Sequence, residues 1–127
     1  MLDQLSTVTS TTVSVALDAL LQRQQLIAGN LANLGGGGAT AEEVDFETAL
    51  ARALESGGDA SATRESLEQL RQDLAAGNLT RHSPTQEVQA DVELVRLNDT
   101  VIRYQALIQG LGKYGSLTRM AISGEIK

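Results

Sequence analysis

Between Leu94 and Leu111 six apolar residues, Leu94, Leu97, Val101, Tyr104, Ile108 and Leu111, recur at alternating steps of three and four. A repeat of 3.5 residues puts all six on one seam of a helix and demands a second helix to cover it. Val88, Val92, Val95, Ile102 and Leu107 widen the apolar surface, so a single neighbour is not enough. Just upstream, Ser83, Pro84 and Gln86 have the order of an N-cap, a first helical residue and a capping-box partner. They predict a helix that opens at residue 84 and runs toward the C-terminus. Downstream lie Gly110, Gly112 and Gly115, each costing about 1 kcal/mol in a helix interior. Either the helix frays or bends there, or the glycines let another backbone come close. Both make this end weak without partners.

The N-terminal segment offers the complementary surface. Across residues 4–34, Leu5, Val8, Thr12, Val15, Ala16, Ala19, Leu20, Leu26, Ile27, Asn30 and Leu31 recur at helical spacing, giving a stripe one face wide. Its first third is a poor helix former. Thr7, Val8, Thr9, Thr11, Thr12, Val13 and Val15 are β-branched and together disfavour a helix by about 3–4 kcal/mol relative to alanine. Only burial against a partner offsets that.

Gly35 to Gly38 stop this helix and serve as a flexible connector. A phosphate-cradling loop would need a preceding strand and a following Lys-Ser/Thr, and neither is present. Thr40 and Glu43 have capping-box spacing and predict a short helix over residues 41–54, with Val44, Leu50 and Leu54 as its stripe. Glu42, Glu43, Asp45 and Glu47 then crowd its first turns, as dipole complement and solvated face. Ser56-Gly57-Gly58-Asp59 ends it. A third helix is predicted over residues 62–76, with Leu67, Leu70 and Leu74 on one face and Gly77-Asn78 as its stop. Residues 35–83 are the least hydrophobic part and are expected to be partly flexible.

Composition narrows the function. The 127 residues suffice for one structural unit with a modest core. Only Phe46, Tyr104 and Tyr114 are aromatic, so that core must come from Leu, Val, Ile and Ala, which suits helix seams. The net charge of −6 and the absence of a basic patch argue against nucleic-acid binding. No cysteine is present, which removes disulfides, thiol catalysis and cysteine metal sites. His82 is the single histidine, in a polar turn, so neither a nucleophile triad nor a zinc ligand set can be assembled. No catalytic residue, cofactor, metal or small-molecule substrate is expected. No run approaches the ~18 apolar residues of a membrane span. Residues 1–20 carry no Lys or Arg, unlike a cleavable secretory signal.

Several blocks resemble bacterial flagellar rod and hook proteins. Ala28-Gly29-Asn30-Leu31-Ala32-Asn33 is similar to the Asn-hydrophobic-Ala-Asn motif that ends the N-terminal helix in that family. Val44-Asp45-Phe46-Glu47-Thr48-Ala49-Leu50 resembles its proximal rod members. So do Asp91-Val92-Glu93-Leu94 with Asn98, Arg103-Tyr104-Gln105-Ala106, and Ser116-Leu117-Thr118-Arg119-Met120-Ala121-Ile122. The resemblance covers residues 1–50 and 87–123. One departure is plain: Gly36-Gly37-Gly38-Ala39 stand where the family carries a Thr-Pro-Gly-Tyr type of turn.

The resemblance implies a structural subunit, not an enzyme. The family leaves the cytoplasm through the flagellar type III export apparatus without signal cleavage and polymerises into the periplasm-spanning rod of the basal body. Implied partners are other copies of the chain, other rod subunits, the rod-to-membrane-ring adapter and the export gate. Phe46 and Leu50 match the family's short Phe-x-x-x-hydrophobic export signal, though Phe46 packing on the first helix explains the same residues.

The expected fold is all-α: long N- and C-terminal helices paired as an antiparallel α-hairpin or coiled coil, with short helices and flexible loops between. The expected assembly interface comprises Leu20, Leu26, Ile27, Asn30, Leu31 and Asn33 on the first helix, and Leu94, Leu97, Val101, Tyr104, Ile108 and Leu111 on the last. The residues also allow another class of protein, a cytoplasmic helical-bundle adaptor or chaperone in which all four helices close one core.

Overall fold

A computed structural model describes residues 2–34, 40–55, 58–87 and 89–124. The order of elements is α1 (Leu2–Ala32), β1 (Thr40–Val44), α2 (Glu47–Glu55), α3 (Ala60–Ala75), β2 (Thr80–Glu87) and α4 (Ala90–Ser123). The molecule is mainly helical, with one small antiparallel sheet of β1 and β2. The Gly35–Gly38 connector and its departure from the rod-family turn lie outside the described residues.

α1 is the common floor: it packs against α4, α3 and β1, and α2 rests on α3. The middle of the stripe read from its sequence is what gets buried: Val15, Ala16, Ala19, Leu20, Ile27 and Asn30, while Val8, Thr12, Leu26 and Leu31 are half-buried. Ala16, Ala19 and Leu20 form one cluster with Val44, Phe46 and Leu74, onto which Leu26, Leu50, Leu79, Tyr104 and Leu107 pack. Val15 joins Ala53, Leu67 and Leu70 in a second cluster, with Val8, Ala49 and Leu50 at its margin. Removing these side chains from water is what holds a threonine-rich helix that its own propensities disfavour. Thr12 also turns its hydroxyl inward and donates to the Val8 carbonyl at 2.7 Å.

α3 follows its sequence closely. Asp59 caps it, its carboxylate accepting from the Ala62 N–H at 2.9 Å. Leu67, Leu70 and Leu74 are its buried face. The chain leaves through Gly77, whose φ of 79° is the left-handed conformation that glycine adopts without strain.

The small sheet corrects two expectations. Thr40 and Glu43 do not cap a helix; they lie in β1, and α2 starts only at Glu47. Ser83, Pro84 and Gln86 do not open the last helix; they lie in β2, and α4 starts at Ala90 after Gln89 as N-cap. In both places the capping pattern is local, whereas the strands are held by pairing between segments about forty residues apart. Ala41 pairs with Ser83, Glu42 with His82, Glu43 with Arg81 and Val44 with Thr80, before the register breaks and Thr40 meets Glu87. Pro84 falls inside that irregular stretch, where its lack of an N–H donor does the ladder no harm.

The acidic run is also placed differently. Of Glu42, Glu43, Asp45 and Glu47, only Glu47 stands in a first helical turn. The others face basic groups: Glu42 meets His82 at 3.3 Å, Glu43 meets Arg96 at 2.6 Å and Asp45 meets Arg81 at 3.2 Å.

Burial is uneven along the two long helices. Among the described side chains, α1 buries none before Val15, and α4 buries only Glu93 and Thr100. One half of the α1–α4 pair is a core; the other half is an arm.

Candidate functional site

The junction of α1, β1 and α4 is built on Asn30. Its side-chain oxygen accepts from the Glu42 N–H at 3.2 Å, and its amide nitrogen donates to the Glu42 carbonyl at 3.1 Å. The side chain thus acts as one more strand beside β1. The same nitrogen donates to the Glu93 carboxylate at 3.2 Å. Glu93 is 2% exposed, and its other oxygen accepts from Arg96 at 3.3 Å. Arg96 continues to Glu43. A buried carboxylate is tolerable only when paired and hydrogen-bonded in this way. An open pocket of about 250 Å³ adjoins the network, with Arg23, Ile27, Glu43, Arg96 and Asp99 in its wall.

A second polar knot fixes α2. Arg23 of α1 donates to the Val44 carbonyl at 2.8 Å and forks onto the Glu47 carboxylate at 2.7 Å to each oxygen. Its guanidinium also lies over the Phe46 ring, 4.8 Å from the centroid. Arg103 of α4 approaches Glu47 at 3.8 Å. Burial pushes the Glu47 carboxyl up, but the Arg23 hydrogen bond, a backbone hydrogen bond and the charges of Arg23 and Arg103 outweigh it and hold the pKa below its ordinary value.

The candidate interface residues divide into three groups. Leu20, Ile27 and Asn30 are buried inside the chain itself. Leu26, Leu31, Leu97, Val101 and Tyr104 are half-buried. Asn33, Leu94, Ile108 and Leu111 are exposed. The face of α4 turned to α1 carries Glu93, Thr100, Tyr104 and Leu107, so it is shifted about one position from the apolar seam. Arg96, which meets Glu43 of β1, and Arg103, which approaches Glu47 of α2, mark the flank toward those elements. At 100° per residue, Leu94, Val101 and Ile108 fall on the opposite flank, and Val95 and Ile102 on the back. Val95 at 69%, Ile102 at 65% and Ile122 at 82% are far more exposed than apolar side chains of their size in a closed bundle.

The candidate export signal is inside. Phe46 is buried in the first cluster, and Leu50, half-buried, packs on both clusters. The first turn of α2 links them, the Leu50 N–H donating to the Phe46 carbonyl at 2.7 Å.

Sequence reading did not single out Glu93, Arg96 and Thr100 as the polar spine of α4. Their spacing of three and four was visible, but a charged residue on a helix is ordinarily solvated, and nothing in the sequence marks which one is not. Among the described residues no group of three or more His, Cys, Asp or Glu side chains is placed to hold a metal ion, and no helix is long and apolar enough to cross a membrane. No family model matches the chain, and comparison with curated proteins gives no match.

Proposed function

We propose that this chain is a structural subunit of the proximal rod of the bacterial flagellar basal body, of the FlgB type. It is exported by the flagellar type III apparatus and polymerises through its terminal helices with copies of itself and other rod subunits, near the membrane-ring adapter. Two supports are independent. The sequence blocks around Asn30, Phe46, Glu93, Tyr104 and Leu117 resemble that family. The observation that carries most weight is the long α4, whose flank and back carry Leu94, Val95, Ile102 and Ile108, each exposed among the described residues, with Ile122 exposed near its end. Large apolar side chains left exposed repeatedly on one side of a helix are the kind of surface that marks an interface.

In this reading α1 and α4 form an antiparallel α-hairpin. The order of contacts supports it: Glu93, early in α4, meets Asn30, late in α1, while Tyr104 and Leu107 pack on the cluster of Ala16, Ala19 and Leu20. The pair need not be a regular coiled coil, because its buried positions include Glu93 and Thr100. A thinly buried arm without disulfides suits a chain that must unfold to pass an export channel and complete its packing afterwards.

The test is localisation. An epitope-tagged chain, expressed in its flagellated host, is expected to co-purify with hook–basal bodies and to restore motility to a strain lacking its gene. Retention in the cytoplasm with intact motility in the deletion strain overturns the proposal and favours the adaptor or chaperone.

A further inference from the structure

Among the described residues, nothing packs against the glycines inside α4. A Cβ added at Gly110, Gly112 or Gly115 would meet nothing within 4 Å, and none of the three has a positive φ. They weaken the helix without relieving any contact among the described residues. Gly112 and Ser116 lie on the outer surface of α4, beside Lys113, Leu117, Arg119 and Met120, where two shallow depressions meet. Small residues in the middle of an apolar and basic rim are what a helix offers when another backbone is to come close.

A surface of the opposite charge stands on α2 and α3. Between these helices runs an open groove of about 610 Å³, floored by Ala49, Ala53, Ala62 and Ser66, with Glu65 and Asp73 on its α3 side and Arg52 on its α2 side. From Glu47 to Ala75 the chain has six carboxylates against three arginines; from Ile108 to Gly124 it has Lys113 and Arg119 and no carboxylate. Among the described residues Glu65, Lys113 and Arg119 form no ion pair.

We infer that the face of α4 centred on Gly112 and Ser116 docks into the α2–α3 groove of a second copy of this chain, with Lys113 and Arg119 against Glu65 and Asp73. The inference rests on the reading of the chain as a self-assembling subunit and names the two surfaces that meet. Because the surfaces differ, the contact is heterologous and propagates head to tail instead of closing a dimer. Small side chains on both sides allow close packing, and the charges set polarity and register.

The experiment is sedimentation velocity on the full chain, with circular dichroism to verify folding of each variant. The wild type is expected to associate with rising concentration, and less so in added salt. The double variant K113E/R119E and the double variant E65K/D73K are each expected to associate at least about tenfold more weakly. An equimolar mixture of the two restores association, because each arm then meets a groove of opposite charge. Gly112→Leu is expected to weaken association by at least about tenfold while leaving the monomer's helicity unchanged or higher. The inference is overturned by a wild type that stays monomeric up to about 1 mM, by a mixture that does not recover, or by a Gly112→Leu chain that associates normally. Association by this route in a chain that never enters a basal body would leave the inference standing and remove the rod reading. Entry into the basal body without recovery in the mixture would do the reverse.

Discussion

Asn30 donates its side-chain amide to the Glu93 carboxylate at 3.2 Å, and the two residues are 5% and 2% exposed. The contact ties the last turn of α1 to the first turn of α4, while the rest of the same amide holds the backbone of Glu42 in β1. Three elements distant in sequence therefore converge on one side chain, and its bond to Glu93 is fully buried while its two bonds to Glu42 are partly so.

Asn30→Ala is accordingly expected to be among the most damaging single changes. It leaves the Glu42 N–H and C=O without their partner and the buried Glu93 with Arg96 alone. The expected loss is about 2–4 kcal/mol, from unsatisfied buried groups more than from lost contact area. Asn30→Asp should lose at least as much at neutral pH, since it sets a second carboxylate, without a donor, against Glu93. Urea midpoints followed by circular dichroism read both; a loss below about 0.5 kcal/mol for Asn30→Ala would mean the network contributes little.

Arg23→Lys tests the second knot. Lysine keeps the charge but cannot fork onto Glu47, reach the Val44 carbonyl and cover the Phe46 ring together. The expected cost is about 1–2 kcal/mol in chemical denaturation. Arg23→Ala should cost more and raise the proteolytic susceptibility of the segment around α2, which otherwise keeps Phe46 and Leu50 covered. Equal stability of wild type and Arg23→Lys would show that charge alone suffices.

Glu47 gives the chain an acid-sensitive contact of definite sign. Its folded pKa is lowered, so it contributes stability above the unfolded glutamate value of about 4.3 and loses that contribution as pH falls through the folded value. The side chain is 46% exposed, so solvent screening keeps the contribution small. Glu47→Gln should be mildly less stable than wild type at pH 7, and the difference should shrink as the pH is lowered below about 4. Thermal melts of both chains across pH 3–7 measure it; a difference that grows on acidification contradicts the sign.

The sequence made the helices legible and hid the sheet. The stripe from Val15 to Ile27 and the leucines at 67, 70 and 74 announced their burial because helical periodicity is local. β1 and β2 could not be seen that way. Thr40-Ala41-Glu42-Glu43 has no alternation of apolar residues, and its pairing with Ser83, His82 and Arg81 is decided by segments far apart in the chain. The same non-locality hid the burial of Glu93. Its neighbour Leu94 fitted the apolar repeat better, yet α4 turns Glu93 inward because Asn30 and Arg96 are there to pair with it. The exposed flank containing Leu94 and Ile108 is thus a consequence of a polar contact that periodicity does not register.

The uneven burial predicts uneven protection from hydrogen exchange. From residue 7 to 14 in α1 and from 108 to 123 in α4 no described side chain is fully buried, whereas residues 15–30 and 93–107 share the two clusters and both polar knots. Opening the arm exposes little apolar surface, and its β-branched residues and three glycines disfavour the helix already. In dilute monomer, amides of 108–123 and 7–14 are expected to exchange at least about tenfold faster than those of 15–30 and 93–107. Raising the concentration until the chain associates should protect the arm while leaving the core amides nearly unchanged, because association covers surface that the monomer leaves open. Uniform protection along both helices in the monomer would contradict the division into core and arm, and would favour a closed helical bundle over a subunit that completes its fold in an assembly.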